Sequence, residues 1–135
     1  MAQPKKLKFR RQFKRRAKAV SPRGTSLAFG DFGLKVLGSG FLTEKEIEAG
    51  RRAVAHFTKR EGKIWIRVFT DKPVTRKAAG TRMGGGKGET DHFVAGVTAG
   101  RIIYEIAGVE KEIAQEALRR AGHKISLRTT FVERK

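Results

Sequence analysis

Apolar positions along the chain recur with periods of two and of about 3.6 residues, and this alternation predicts a mixed domain. Leu27, Phe29, Phe32, Leu34 and Val36, interrupted by Gly30 and Gly33, predict a strand from Ser26 to Leu37 with a turn or bulge at the glycines. Thr43 and Glu46 form a capping box, after which Ile47, Gly50, Val54 and Phe57 keep helical spacing, and Gly62 suits the stop. Arg51, Arg52, Lys59 and Arg60 fall off that stripe, on a solvated or phosphate-contacting face. Lys63 to Phe69 reads as a β-branched and aromatic strand, with Ile64, Ile66 and Val68 on one face and Trp65, Arg67 and Phe69 on the other. Trp65 is expected in the core rather than as a base-stacking platform.

Asp71-Lys72-Pro73 is expected to turn the chain. Two strands near His92–Val97 and Arg101–Ala107 follow, joined by Thr98-Ala99-Gly100 as a hairpin. A second helix is expected from Glu110 to Ala121, with Val109, Ile113, Ala117 and Leu118 buried and Gly122 at its end. Ile125 to Val132 makes the last strand, with Ile125, Leu127, Thr129 and Phe131 on one face. The fold class is therefore α+β: one domain, mainly an antiparallel sheet covered by two helices.

Composition changes this picture in one respect. Among 135 residues there are 31 Lys or Arg and 13 Asp or Glu, a formal charge of +18, which calls for a polyanionic partner. Residues 1–24 hold ten of the cations (Lys5, Lys6, Lys8, Arg10, Arg11, Lys14, Arg15, Arg16, Lys18, Arg23) and no acid. Residues 72–88 hold five more (Lys72, Arg76, Lys77, Arg82, Lys87), again with no acid. The other 94 residues carry a net charge of only +3. The expected organisation is thus a basic extended tail, residues 1–24, on a domain of residues 25–135 that carries a long loop, residues 72–91. The tail has too little apolar surface to offset its ordering entropy alone. Phe9 and Phe13 among its cations favour contact with nucleic acid over idle solvation, because an aromatic ring can stack on an exposed base while its neighbours hold phosphates.

The internal loop contains five glycines in nine residues, Gly80 to Gly88, together with Arg82, Met83 and Lys87. Such a stretch cannot fill a core, and loops of this length are usually functional. Its glycines let backbone N–H groups approach phosphate oxygens. It is no P-loop, since Thr81 and Gly88 stand where that motif needs Gly and Ser or Thr. Asp31-Phe32-Gly33 is a chance match to a kinase tripeptide. His56, His92 and His123 have no catalytic spacing, so neither an enzyme nor a cofactor is expected, and no metal site. The chain has no cysteine, which suits a reducing compartment. It also lacks a run of about 18 apolar residues that could span a membrane.

Lys59-Arg60-Glu61-Gly62-Lys63-Ile64-Trp65-Ile66-Arg67-Val68-Phe69 resembles the first signature of the bacterial-type L-sixteen family of large-subunit ribosomal proteins. Arg82-Met83-Gly84-Gly85-Gly86-Lys87-Gly88 resembles the second. Gln3-Pro4-Lys5 with Lys8-Phe9-Arg10, Phe29 to Lys35, and Thr129 to Val132 are similar to the family as well. The resemblance implies a cytoplasmic protein of the large ribosomal subunit, with 23S rRNA, tRNA and neighbouring subunit proteins as partners and no membrane. It implies that the tail lies in rRNA and that the loop reaches towards the aminoacyl-tRNA site and the peptidyl-transferase region. Arg82 matches an arginine that some bacteria hydroxylate. Charge alone would also fit a general nucleic-acid-binding or nucleoid-type protein.

Overall fold

The capping box at Thr43 starts the first helix, α1 (Glu44–Phe57), with the Glu46 N–H donating to Thr43 Oγ1 at 3.2 Å. The Glu46 carboxylate also ties the helix to a distant segment, since its Oε2 accepts from the N–H and hydroxyl of Ser126 at 3.0 and 2.9 Å. In the computed structural model the described residues are 3–6, 8, 9, 12, 20–77, 79, 80, 83, 84 and 86–134. Ile47, Gly50 and Val54 are buried as their spacing predicts. Gly50 is required by space: a Cβ there would collide with the hydroxyl of Tyr104. That hydroxyl donates to the Ile47 carbonyl at 2.6 Å, and burial, then the nearby Glu48 and Glu46 charges, push it well above the usual phenol range. The helix ends at Thr58, before Gly62, because Lys59 and Arg60 already take left-handed backbone angles (φ 53° and 63°).

Among the described residues, seven strands accompany α1 and a second helix, α2 (Lys111–Gly122). They are β1 (Phe32–Val36), β2 (Gly40–Thr43), β3 (Lys63–Ile66), β4 (Lys72–Arg76), β5 (Glu89–Val97), β6 (Ile102–Ala107) and β7 (Thr129–Glu133). The α+β class is as expected, but the strands form two antiparallel sheets, ordered β3-β6-β1-β7 and β2-β5-β4. Both sheets contribute to one core, where Leu42, Ala95 and Val97 meet Val36, Ile103 and Tyr104. The α2 face that meets this core is Ala114, Ala117, Leu118 and Ala121. Ile113, expected in that stripe, is 37 % exposed instead. It stands five residues before Leu118, about 140° round a helix that turns about 100° per residue.

The expected hairpin at Thr98–Gly100 is a crossover. β5 pairs with β2 and β4, β6 pairs with β1 and β3, and the Gly100 N–H donates to the Val36 carbonyl at 2.8 Å. Asp71–Pro73 does not turn the chain but leads into β4, which pairs with β5 through Thr75↔Thr90 and Arg76↔Glu89. The long loop therefore shrinks to residues 77–88 at the tip of a hairpin. Pro73 is tolerated because β4 is an edge strand. Ile125 and Leu127, expected in the final strand, precede β7 in a turn, and Phe131 stacks on Phe32 at 5.6 Å.

The largest departure concerns residues 26–31. They leave the sheet and cross its back as a strap, so β1 begins only at Phe32, and its irregularity against β6 lies at Leu34/Lys35 rather than at the glycines. Glu105, on β6 and fully buried, holds this strap. The N–H groups of Ala28, Phe29 and Gly30 donate to its Oε1 at 2.9, 2.8 and 2.9 Å, and Arg67 Nη1 lies 3.1 Å from its Oε2. Trp65 is half-buried on this side, stacked on Phe29 at 6.0 Å with Lys63 over its ring, outside the helix-covered core.

On α2, Arg119 and Arg120 donate to the exposed carboxylate of Glu116, and these bonds, Arg119 first, hold it down at about 2 against an ordinary 4.5. A lowered carboxylate contributes stability that is present above its ordinary value and lost as pH falls towards the folded one. The NMR titration midpoint of Glu116 is therefore expected near 2 at low salt, moving up in concentrated salt as screening weakens the pairing. A midpoint near 4.5 at low salt would contradict the pairing.

Candidate nucleic-acid interface

The basic tail is rooted in the domain before residue 25. Val20 forms a parallel bridge with Ala99, the Ser21 N–H donates to the Ala99 carbonyl at 2.9 Å, and the Ser21 hydroxyl meets that of Thr98. Arg23 is exposed just beyond this anchor. Further out, Lys5, Lys6, Lys8 and Phe9 are exposed, with the Lys8 ammonium 5.7 Å from the Phe9 ring centre. Arg10, Arg11, Phe13, Lys14, Arg15, Arg16 and Lys18 lie outside the described residues.

The second basic segment is carried by the β4–β5 hairpin. Lys72 sits 4.9 Å over the Phe41 ring, while Arg76 and Lys77 are exposed where the strands part. Gly88 closes the loop: a Cβ there would stand 2.5 Å from the Arg76 carbonyl oxygen, so only glycine lets the two ends approach so closely. Met83 is fully exposed, and Gly84, Gly86 and Lys87 are exposed with it. Arg82 and Gly85 lie outside the described residues. Tail and loop also touch, since Lys87 Nζ donates to the Gln12 carbonyl at 2.8 Å. Two segments 75 residues apart in sequence thus converge in space.

A third cationic group escapes any count by segment. His56 and Lys59 at the end of α1 share one shallow depression with Arg120, His123 and Lys124 at the end of α2. The Arg120 guanidinium lies 4.4 Å over Phe57 in its floor. Cations at helix C-termini also complement the helix dipole. Their signal in the sequence is a basic cluster at the end of each helix, and only packing brings the two together. His56 and His123 thus line a surface whose charge comes from Lys59, Arg120 and Lys124, and His92 hydrogen-bonds its neighbour Asp91 at 2.8 Å, which holds that carboxyl below its ordinary range. Among the described residues no three metal-ligating side chains gather, and no helix is long and apolar enough to cross a membrane.

These surfaces can bind phosphate by charge and backbone N–H groups and can stack bases on exposed rings. The family described as ribosomal protein L16p/L10e matches residues 4–132. Among curated relatives, the large ribosomal subunit protein uL16 of Bacteroides thetaiotaomicron is 56 % identical over 135 residues, covering 100 % of this chain and 94 % of its own. Its namesake in Albidiferax ferrireducens is 52 % identical over 134 residues, covering 99 % of this chain and 97 % of its own. That of Francisella tularensis subsp. novicida is 50 % identical over 134 residues, 99 % and 98 % of the two chains. The similarity spans the tail, both sheets and the glycine-rich hairpin and leaves one conclusion: the chain belongs to the L16p/L10e family of ribosomal proteins.

Proposed function

We propose that the chain is a structural protein of the large subunit of the cytoplasmic ribosome, bound to 23S rRNA and to neighbouring subunit proteins. Its relatives, at 50–56 % identity over essentially the whole chain, carry the name of a large-subunit protein, and this carries the proposal. Residues 1–24 are the rRNA-binding tail, with Lys72, Arg76 and Lys77 as further phosphate contacts at the hairpin. The loop from Arg82 to Gly88 faces tRNA near the aminoacyl site and the peptidyl-transferase region, with Arg82 as its modification site. The placement of charge supports this reading, because folded RNA crowds phosphates from several helices together, and thin cationic segments enter where a globular domain cannot. The chain supplies charge and position, and bond-making belongs to the RNA.

Co-sedimentation with large ribosomal subunits that survives moderate salt is the expected result. Recovery only as free protein or on chromosomal DNA would favour a nucleoid-type protein and overturn the proposal. For the loop, subunits carrying Arg82→Ala with Lys87→Ala are expected to contain the protein yet to place aminoacyl-tRNA poorly. Unchanged translation by such subunits would remove the loop's assigned role.

A further inference from the structure

A cleft of about 470 Å³ opens between the strap, the chain leaving β3 and the first turn of α1. Phe29, Ile66 and Phe69 line it, and they are 59, 40 and 50 % exposed, high for large apolar side chains. Two further lining residues hold buried polar atoms with no hydrogen-bond partner among the described residues: Glu44 Oε2, an acceptor, and Arg101 Nε, a donor. Glu44 as a whole is 7 % exposed. A buried polar atom left unpaired costs free energy, so native proteins rarely keep one without a use. The other Glu44 oxygen, Oε1, accepts from the side-chain amide of Gln3 at 2.9 Å. A flat, neutral N–H donor from the basic tail therefore already covers this carboxylate.

Flat walls, one acceptor and one donor match the edge and faces of a nucleobase. Guanine fits best: N1–H and N2–H are adjacent donors for a carboxylate, O6 accepts from a guanidinium, and both faces stack on aromatic rings. Uracil has no amino group, and adenine and cytosine lack the adjacent pair of donors. A basic peptide suits the cleft less well, because the other carboxylate lining it, Glu48, is already paired with Arg51 and Arg52. We propose that this cleft receives one unstacked guanine of the RNA, held by Glu44 and Arg101 and stacked against Phe69, with Phe29 as a side wall whose ring already carries Trp65 at 6.0 Å and the Arg67 guanidinium at 5.6 Å. The proposal rests on the RNA-binding reading above. Gln3 is its competitor within the chain and leaves Glu44 when the tail is drawn onto RNA.

Trp65, stacked on Phe29, reports occupancy by its fluorescence. Titration of the full-length protein with GMP, AMP, CMP and UMP is expected to show GMP bound at least about fivefold more tightly than UMP, the low end for a bidentate base contact. Glu44→Gln should abolish the preference, and Gln3→Ala should tighten GMP binding. Should Glu44→Gln fail to fold, Phe69→Ala, at an exposed position, carries the test by loss of the GMP response. Equal binding of the four nucleotides, or a preference that survives Glu44→Gln or Phe69→Ala, overturns the proposal. In assembled subunits, a photo-crosslinking side chain at position 69 is expected to capture a guanine, and capture of a neighbouring protein overturns it. Subunits that incorporate the chain while GMP shows no preference would sink the base site alone. Failure to incorporate would sink the ribosomal reading.

Discussion

Glu105→Ala is expected to cost about 3–5 kcal/mol of folding free energy, the range for removing one partner of a buried charge pair. Three backbone N–H groups of the strap converge on one oxygen of Glu105, and Arg67 faces the other. Alanine would leave those three N–H groups without their acceptor, and Arg67, which donates to the Ser26 carbonyl at 2.8 Å, would lose its ion-pair partner. Single domains are stable by only about 5–15 kcal/mol, so much of the total would disappear. Glu105→Gln keeps one carbonyl oxygen and should fall between wild type and alanine. Urea denaturation followed by circular dichroism measures both, and a cost below about 1 kcal/mol for alanine would show that the strap is held by its apolar contacts instead. The consequence reaches the proposed site, because the strap carries Phe29, a wall of the cleft and the ring on which Trp65 stacks.

Removal of residues 1–19 is expected to act on binding and not on folding. The cut falls just before Val20 and Ser21, whose bonds to Thr98 and Ala99 anchor the chain, and it takes away nine cations. Among the described residues, none of this segment belongs to the core cluster. The urea midpoint should therefore stay close to that of the intact protein. Every phosphate that a tail cation no longer neutralises lowers the slope of log affinity against log salt by about 0.7–0.9, so the truncated protein should bind rRNA with a slope smaller by several units. At low salt its affinity should fall by orders of magnitude. Filter binding to a large-subunit rRNA fragment across a salt series measures this. An unchanged slope would mean that the tail's cations do not meet phosphate, and the binding would then rest on the hairpin and the helix ends.

How far the sequence can be read follows the range of the interactions involved. The start of α1 is legible because a capping box lies within four residues. Its end is not, because Lys59 and Arg60 adopt a left-handed backbone that local propensity assigns to glycine. The strap reads as strand because its apolar alternation is genuine: Leu27 and Phe29 do alternate, but against the back of a sheet rather than within one. β5 and β6 look like a hairpin because a short turn joins them, yet they lie in different sheets, β5 between β2 and β4 and β6 between β3 and β1. Of the interface, the two basic segments are plain from counting. Their meeting through Lys87 and Gln12, and the depression shared by both helix ends, are not.

What the sequence determined by itself was the distribution of charge: a +10 tail and a +5 segment on a domain close to neutral. Charge needs no folding to be counted, and a polyanion senses it at the range of the Debye length. The family signatures and helix spacing were likewise local in the chain. Tertiary structure alone decided that the sheet divides in two, that Glu105 is buried under three donors, and that Glu44 and Arg101 share one cleft. Each of these joins residues dozens of positions apart, and their pairing is set by which apolar faces can be buried together, a property of the whole chain and of no single stretch of it.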